Sequence, residues 1–413
     1  AGGRVVAAVA FALLLANMCR VCMAVAIVPI AGEFGWSAAT CGLVQSAFLW
    51  GYTATQLLGG WLADKHGGKV VLAWGMVVFG VCTVLTPAAL GPAALGAGVG
   101  LPALLLARAA VGLGEGVAMP SMNNLIATHV PKERRAQAVG TAFMGFHSGT
   151  IIGLLVSPPI IMKFGWQGLF LTYGLLAIPT LVLWRTLVPT PKPAPDAAAE
   201  VAKGSAESSE DAGMGRLLRE PAIWAIIIAN TCNHWNYFIY LNWLPTYFYQ
   251  ALGVNLKAST LYSVGPWVAM AVFSYVAGFA ADRLVNSGVS VTLVRKLMQT
   301  ISFLGPAACL WPIAAGSLPP AGVLACFTSA LALASFGQAG FIPNMQDVAP
   351  RHAGRLFGLC NTAGSLAGIL GTAATGVIVQ QTGSWQPVFY IMVALYVVGT
   401  VVWNILCTGE RVV

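Results

Sequence analysis

Along nearly its whole length the chain sets long apolar stretches between short clusters of charge, glycine and proline. A half-buried strand alternates every second residue and a surface helix carries a one-sided stripe, but these stretches are apolar all round. At about 20 residues each they match the length of a helix that crosses a bilayer. Twelve such helices are predicted, near 5–30, 38–63, 70–90, 101–127, 136–162, 168–188, 221–248, 259–281, 297–315, 321–346, 356–380 and 387–408. Between the sixth and seventh lies 189–220, with PTPKPAPDAAAE and then KGSAESSEDAG, which has little to bury and reads as a flexible linker. The expected organisation is a six-helix bundle over 1–188, the linker over 189–220 and a second bundle over 221–413.

The two halves repeat. Asp64 in GWLADKHGGK returns as Asp282 in GFAADRL, 218 residues on, while Gly145, Gly149, Pro131 and the WQGLF at 166–170 return 219 residues on. Ala-Asn-x-Cys opens both halves, at 16–19 and 229–232. Near-constant shifts of this kind mark two homologous bundles, and parallel repeats place a substrate site where they meet. The glycines spaced four apart (Gly145, Gly149, Gly153) read as close helix packing. Asp64 and Asp282, each where a helix runs into a basic loop, read as conformational locks, with Lys65, Lys69 and Arg283 beside them.

Composition agrees: 58% of residues are hydrophobic and 8% charged, against roughly a quarter charged in a soluble domain. Of the 21 basic residues, 17 fall on the side shared by the linker and both ends, so the net charge of +8 sets orientation, with that side cytoplasmic or stromal, and offers no face for nucleic acid. The nine cysteines lie in apolar segments, and the CxxC of Cys19 and Cys22 has no His or second pair nearby, which argues against metal or redox use. The chain begins Ala1-Gly2-Gly3-Arg4 without Met, and a targeting segment upstream is expected to be missing.

Three charges remain deep inside helices: Arg20, Arg108 and Glu115. Each costs about 2.5–3.5 kcal/mol to place at a helix centre and therefore demands a partner, hydration or a ligand. Arg20 stands ~22 Å along the first helix, too deep to snorkel, and Arg108 lies ~10 Å of rise from Glu115, too far for a direct pair. Two readings follow: a buried ion pair across helices, or two cationic anchors for an anion with one titratable carboxylate for coupling. In the second, the cluster carries +1 with Glu115 ionised and +2 with it protonated, so proton and anion favour each other's binding. Asn233 occupies the repeat position of Arg20, so the second half is expected to add polar or aromatic contacts such as His234, Trp235 and Asn361, for which packing is the equal alternative.

These residues carry a family resemblance. GWLADKHGGK resembles the loop signature of the major facilitator superfamily. FLWGYTATQLLGG at 48–60, ARAAVGLGEGVAMPSMNN at 107–124, YLNWLPTYF at 240–248, VRKLMQTISFLGPA at 294–307 and QDVAPRHAGRLFGLCNTAGSLAG at 346–368 resemble its anion:cation symporter branch, nearest the plant and algal chloroplast members. The resemblance implies an all-α integral membrane fold of 12 helices and a secondary active anion transporter working by alternating access with a co-transported sodium ion or proton. It implies substrate contacts at Arg20, Arg108, Tyr52, His147 and Asn361, coupling at Glu115, and gating at Asp64, Lys65, Lys69, Asp282 and Arg283. Several relatives carry His at the position of Gln45, Arg at that of Asn233 and, in some bacterial members, Asp at that of Cys19, departures that bear on proton stoichiometry and on dicarboxylate binding. Inorganic phosphate is the first expected substrate, ascorbate the second, and glutamate or a sugar acid the third. The expected setting is the chloroplast envelope or thylakoid membrane, with a monomeric chain, a small anion and a coupling cation as partners, and no cofactor or metal. An anion channel is the competing class. An enzyme is not expected, since HExxH, GxSxG and GxxxxGK[ST] are missing and GLGEG at 112–116 lacks nucleotide-binding spacing.

Overall fold

A computed structural model describes residues 2–130, 135–189, 217–349 and 353–412. Most of the 189–220 linker lies outside the described residues, as do Lys132, Arg134 and Arg351 and the side chain of Asp64. Among the described residues the secondary structure is helical throughout. The first half holds α1 (Gly2–Phe34), α2 (Ala38–His66), α3 (Gly68–Leu85), α4 (Pro92–Gly96), α5 (Gly100–Gly116), α6 (Ala118–His129), α7 (Arg135–Leu175) and α8 (Ala177–Leu187). The second holds α9 (Pro221–Ala251), α10 (Leu256–Asn286), α11 (Val291–Ala314), α12 (Pro320–Ala334), α13 (Phe341–Val348), α14 (Ala353–Thr382) and α15 (Gln386–Leu406).

These map onto twelve crossings. α5 and α6 form one crossing with a joint at Val117, and α12 and α13 form another, interrupted by a 3-10 turn over Ser335–Gln338. α7 carries two, because Gly165 adopts φ 71° and breaks the helix there, a conformation open to glycine and strained for other residues. Nine stretches among the described residues are long and apolar enough to cross a membrane, one of them covering the two crossings of α7 and α8. Large apolar side chains point outward, among them Trp74, Leu106, Met162, Tyr275 and Ile405, as expected where the surrounding medium is hydrocarbon.

The chain packs as two compact units. Unit 1 comprises Ala1–Pro193, Tyr240–Leu261 and Thr372–Val377, and unit 2 comprises Ala194–Ile239, Tyr262–Gly371 and Ile378–Val413. In unit 1 the two later segments are joined to each other, the Trp243 indole N–H donating to the Thr372 carbonyl at 3.1 Å. α1 is buried on every side from Leu15 to Ile27. Gly145 and Gly149 of α7 seat against the Ala10 and Leu14 carbonyls of α1, as their spacing predicts. In unit 2 the corresponding Gly364 and Gly368 of α14 seat against side chains instead, Asn230 and His234 at the first and the Phe238 ring at the second.

Three glycines of α5 bring two helices close at once. A Cβ at Gly112 would collide with the Phe48 carbonyl oxygen of α2, and one at Gly116 with Thr55 of the same helix. A Cβ at Gly114 would come within 2.7 Å of the Phe79 amide nitrogen of α3. Gly112→Val must therefore push α2 and α5 apart, at about 1–3 kcal/mol or more. The expected result is a lowered melting temperature in detergent with the solution helicity retained, and an unchanged melting curve would refute this close approach.

Candidate functional site

The deep charges predicted from sequence converge within unit 1. Arg20 on α1 places Nε and Nη2 each 3.2 Å from a single oxygen of Glu115 on α5, Oε2. Arg108, two turns earlier on α5, turns to α1 instead. Its Nη2 donates to the Arg20 carbonyl at 3.4 Å and its Nη1 to the Cys19 carbonyl at 3.5 Å. These carbonyl oxygens have a second lone pair beyond the helix ladder, so α1 can accept the bonds without unwinding. The cluster is nearly sealed, with Arg20 8% exposed and Arg108 and Glu115 1% each. Two polar atoms in it have no hydrogen-bond partner, Glu115 Oε1 and Arg108 Nε.

Aromatic rings surround the guanidinium of Arg20. Its Cζ lies 4.6 Å from the Tyr52 ring centroid, 4.8 Å from that of Phe48 and 5.2 Å from that of Phe146. Arg108 lies 5.7 Å from the same Phe48 ring. Desolvated contacts of this kind contribute on the order of 2 kcal/mol each and help hold a cation where water does not reach. Phe48 and Tyr52 are one turn apart on the face of α2 that the α5 glycines admit, and stack at 5.6 Å. Asn17 secures the third ring, its amide donating to the Phe146 carbonyl at 2.7 Å.

The aromatic role of Phe48 and Phe146 was not legible beforehand. Both sit at ordinary core spacing, and their one sequence signal is Phe48 standing four residues before Tyr52. His147 follows Phe146 and packs edge-on against it at 5.6 Å between centroids, with no described contact to the three charges. Asn361 lies on α14 in unit 2 and is partly buried. Of the predicted gating residues, Lys65 holds its ammonium 4.7 Å from the Trp61 ring, and the Lys69 carbonyl accepts from the Trp184 indole at 3.1 Å. Asp282 and Arg283 are exposed and form no ion pair with a described residue.

The three charges are thus buried together among the crossing helices α1, α2 and α5. The profile of the Major Facilitator Superfamily matches residues 9–372. The chain belongs to that family. It is a multi-pass membrane protein with the 12-helix fold of a transporter. The ascorbate transporter, chloroplastic, of Arabidopsis thaliana is 46% identical over 406 residues, spanning 97% of this chain and 73% of its own. The sodium-dependent phosphate transport protein 1, chloroplastic, of the same plant is 45% identical over 409 residues, with 97% and 78% covered. The probable anion transporter 4, chloroplastic, of Oryza sativa subsp. japonica is 46% identical over 409 residues, with 97% and 68% covered. A crystal structure of a D-xylose-proton symporter superposes with TM-score 0.80 at 17% identity, covering 99% of both chains, which bears on the fold alone.

Proposed function

We propose that this facilitator carries inorganic phosphate across a chloroplast membrane by cation-coupled symport. The observation that carries the reading is the composition of the buried cluster: two arginines, one glutamate and an aromatic wall. With Glu115 ionised it holds one unbalanced positive charge, and in a low-dielectric interior an anion is the natural counter-ion. Arg20 and Arg108 are the proposed anchors, with Tyr52, His147 and Asn361 as further contacts.

Glu115 is the proposed coupling group. When it is ionised, its Oε2 occupies two donors of Arg20. A proton on the carboxyl, or a sodium ion beside it, weakens that hold and turns the guanidinium toward an incoming anion. Cation and anion then raise each other's affinity, and the linkage is reciprocal. The loop after α2 and its repeat after α10, with Asp64, Lys65, Lys69, Asp282 and Arg283, are the proposed gates. The six-helix bundles over 1–188 and 221–413, joined through 189–220, are the proposed moving bodies.

Ascorbate is the second substrate reading, because the relatives bearing the two substrate names are equally similar to this chain. Transport by a carrier, as against a channel or an enzyme, is supported by the family and by the twofold repeat. The test is a competition panel in reconstituted vesicles, with labelled phosphate and labelled ascorbate and with proton and sodium gradients imposed in turn. Saturable uptake of phosphate, accelerated by unlabelled phosphate on the opposite face and concentrated by one gradient, is expected. Flux that does not saturate and shows no such acceleration refutes the carrier, and transport of ascorbate without phosphate moves the substrate to the second reading.

A further inference from the structure

Unit 2 contains a histidine whose ring is fixed and whose outer nitrogen faces no described partner. His234 lies on α9, and its Nδ1 is 3.0 Å from the Asn230 carbonyl one turn earlier. A carbonyl only accepts, so Nδ1 carries a proton and donates. Asn230 is held in turn, its amide donating to the Cys360 carbonyl on α14. The imidazole lies over Gly364 of α14, where an added Cβ would come within 2.7 Å of Cγ and 2.9 Å of Cδ2. Phe238 borders it at 6.0 Å between centroids. Tautomer and orientation are thus set by three contacts, and in the neutral ring Nε2 is left as a lone-pair acceptor.

The described residues contain no cluster of His, Cys, Asp or Glu suited to a metal ion, so Nε2 is not a ligand of such a cluster. A fixed lone-pair acceptor complements a group that donates, such as a hydroxyl.

We infer that His234 accepts a hydrogen bond from a hydroxyl of the transported anion and so determines which anions are carried. The inference rests on the anion-transport reading and deepens it: within unit 2, His234 responds to a hydroxyl. Hydrogen phosphate and ascorbate both carry one. Sulfate has nearly the size and charge of hydrogen phosphate but no hydroxyl, so it presents only lone pairs to the lone pair of Nε2. A site built around a hydroxyl rejects the analogue lacking it, because the acceptor is then left unpaired.

The experiment is counterflow of labelled phosphate in reconstituted vesicles at alkaline pH, where phosphate is chiefly its hydrogen-bearing dianion, with unlabelled phosphate or sulfate as competitor. In the unmutated chain sulfate should compete at least about tenfold more weakly. His234→Phe should raise the KM for phosphate by about tenfold while sulfate inhibition moves by less than about twofold, so that the preference disappears. His234→Gln, whose side-chain oxygen still accepts, should keep part of it. Should ascorbate be the carried anion, the comparison is ascorbate with its 2-, 5- and 6-O-methyl ethers in turn, of which one should compete at least about tenfold more weakly and lose that disadvantage in His234→Phe. Equal competition by sulfate in the unmutated chain, or an undiminished preference in His234→Phe, overturns the inference while leaving anion transport standing. Loss of counterflow for both anions in the unmutated chain overturns the transport reading and this inference with it. The competition in the unmutated chain needs no variant, so a substitution that fails to insert still leaves the inference open to refutation.

Discussion

Arg108→Ala should abolish anion uptake in reconstituted vesicles although the protein inserts and retains its helices. The carbonyls of Cys19 and Arg20 that Arg108 touches are already bonded within α1, and its contacts to them are long, at 3.5 and 3.4 Å. Losing them costs the fold little. The electrostatic loss is larger, since the cluster falls from one net positive charge to none. Truncating a buried charge that pairs with a ligand costs about 2–5 kcal/mol, a loss of roughly thirtyfold to several thousandfold in affinity. Arg108→Lys should recover part of the uptake, because it restores the charge but an ammonium cannot bridge two successive carbonyls as a planar fork does. Initial rates of labelled phosphate uptake, normalised to inserted protein, make the comparison. Uptake near that of the unmutated chain would show Arg108 to be a clasp on α1 and nothing more.

The second large effect has two opposite signs. In Glu115→Gln, counterflow of anion should persist and its KM should fall, whereas accumulation against a gradient should disappear. The cluster then carries two positive charges at every pH, as the protonated carboxyl would give it, so anion binding no longer requires the cation. Stability should suffer: removing one partner of a buried pair costs about 3–5 kcal/mol, because the other charge stays behind. Here the Tyr52, Phe48 and Phe146 rings offset part of that cost, and a bound anion offsets more. The melting temperature of the variant should therefore rise more steeply with phosphate concentration than that of the unmutated chain. Gradient-driven accumulation at the normal level would remove Glu115 from the coupling role.

Much of this was legible in the sequence for an electrostatic reason. In a chain of so few charges, an acid far from any loop stands out, and the 2.5–3.5 kcal/mol cost of burying it requires a companion. Glu115 and Arg20 were therefore findable, and the glycines around Glu115 announced close helix contact. Which of the two arginines would take the carboxylate was left open, although the ~10 Å rise from Arg108 argued against that residue. The caging by Phe48 and Phe146 was hidden because an aromatic ring facing a guanidinium and one facing a leucine have the same helical spacing. The 3-10 turn over Ser335–Gln338 was hidden likewise: ASFGQAG is apolar and small enough to continue a helix, and the interruption shows only where Gln299 of α11 reaches across to accept from the Phe341 amide at 3.2 Å. The left-handed Gly165, by contrast, fell within the gap predicted between two crossings.

Nε and Nη2 of Arg20 meet the same oxygen of Glu115, and Oε1 stands unbonded beside it. A carboxylate gripped through both oxygens would have to let go of its arginine before taking up a proton. One held through a single oxygen keeps a vacant basic position, so protonation can come first and the ion pair can loosen afterwards. In the proposed coupling at Glu115 this gives the cycle an order in time: cation on, arginine released, anion on. In kinetic language the binding order is sequential, with the cation leading, and raising its concentration should lower the KM for the anion before it changes the maximal rate.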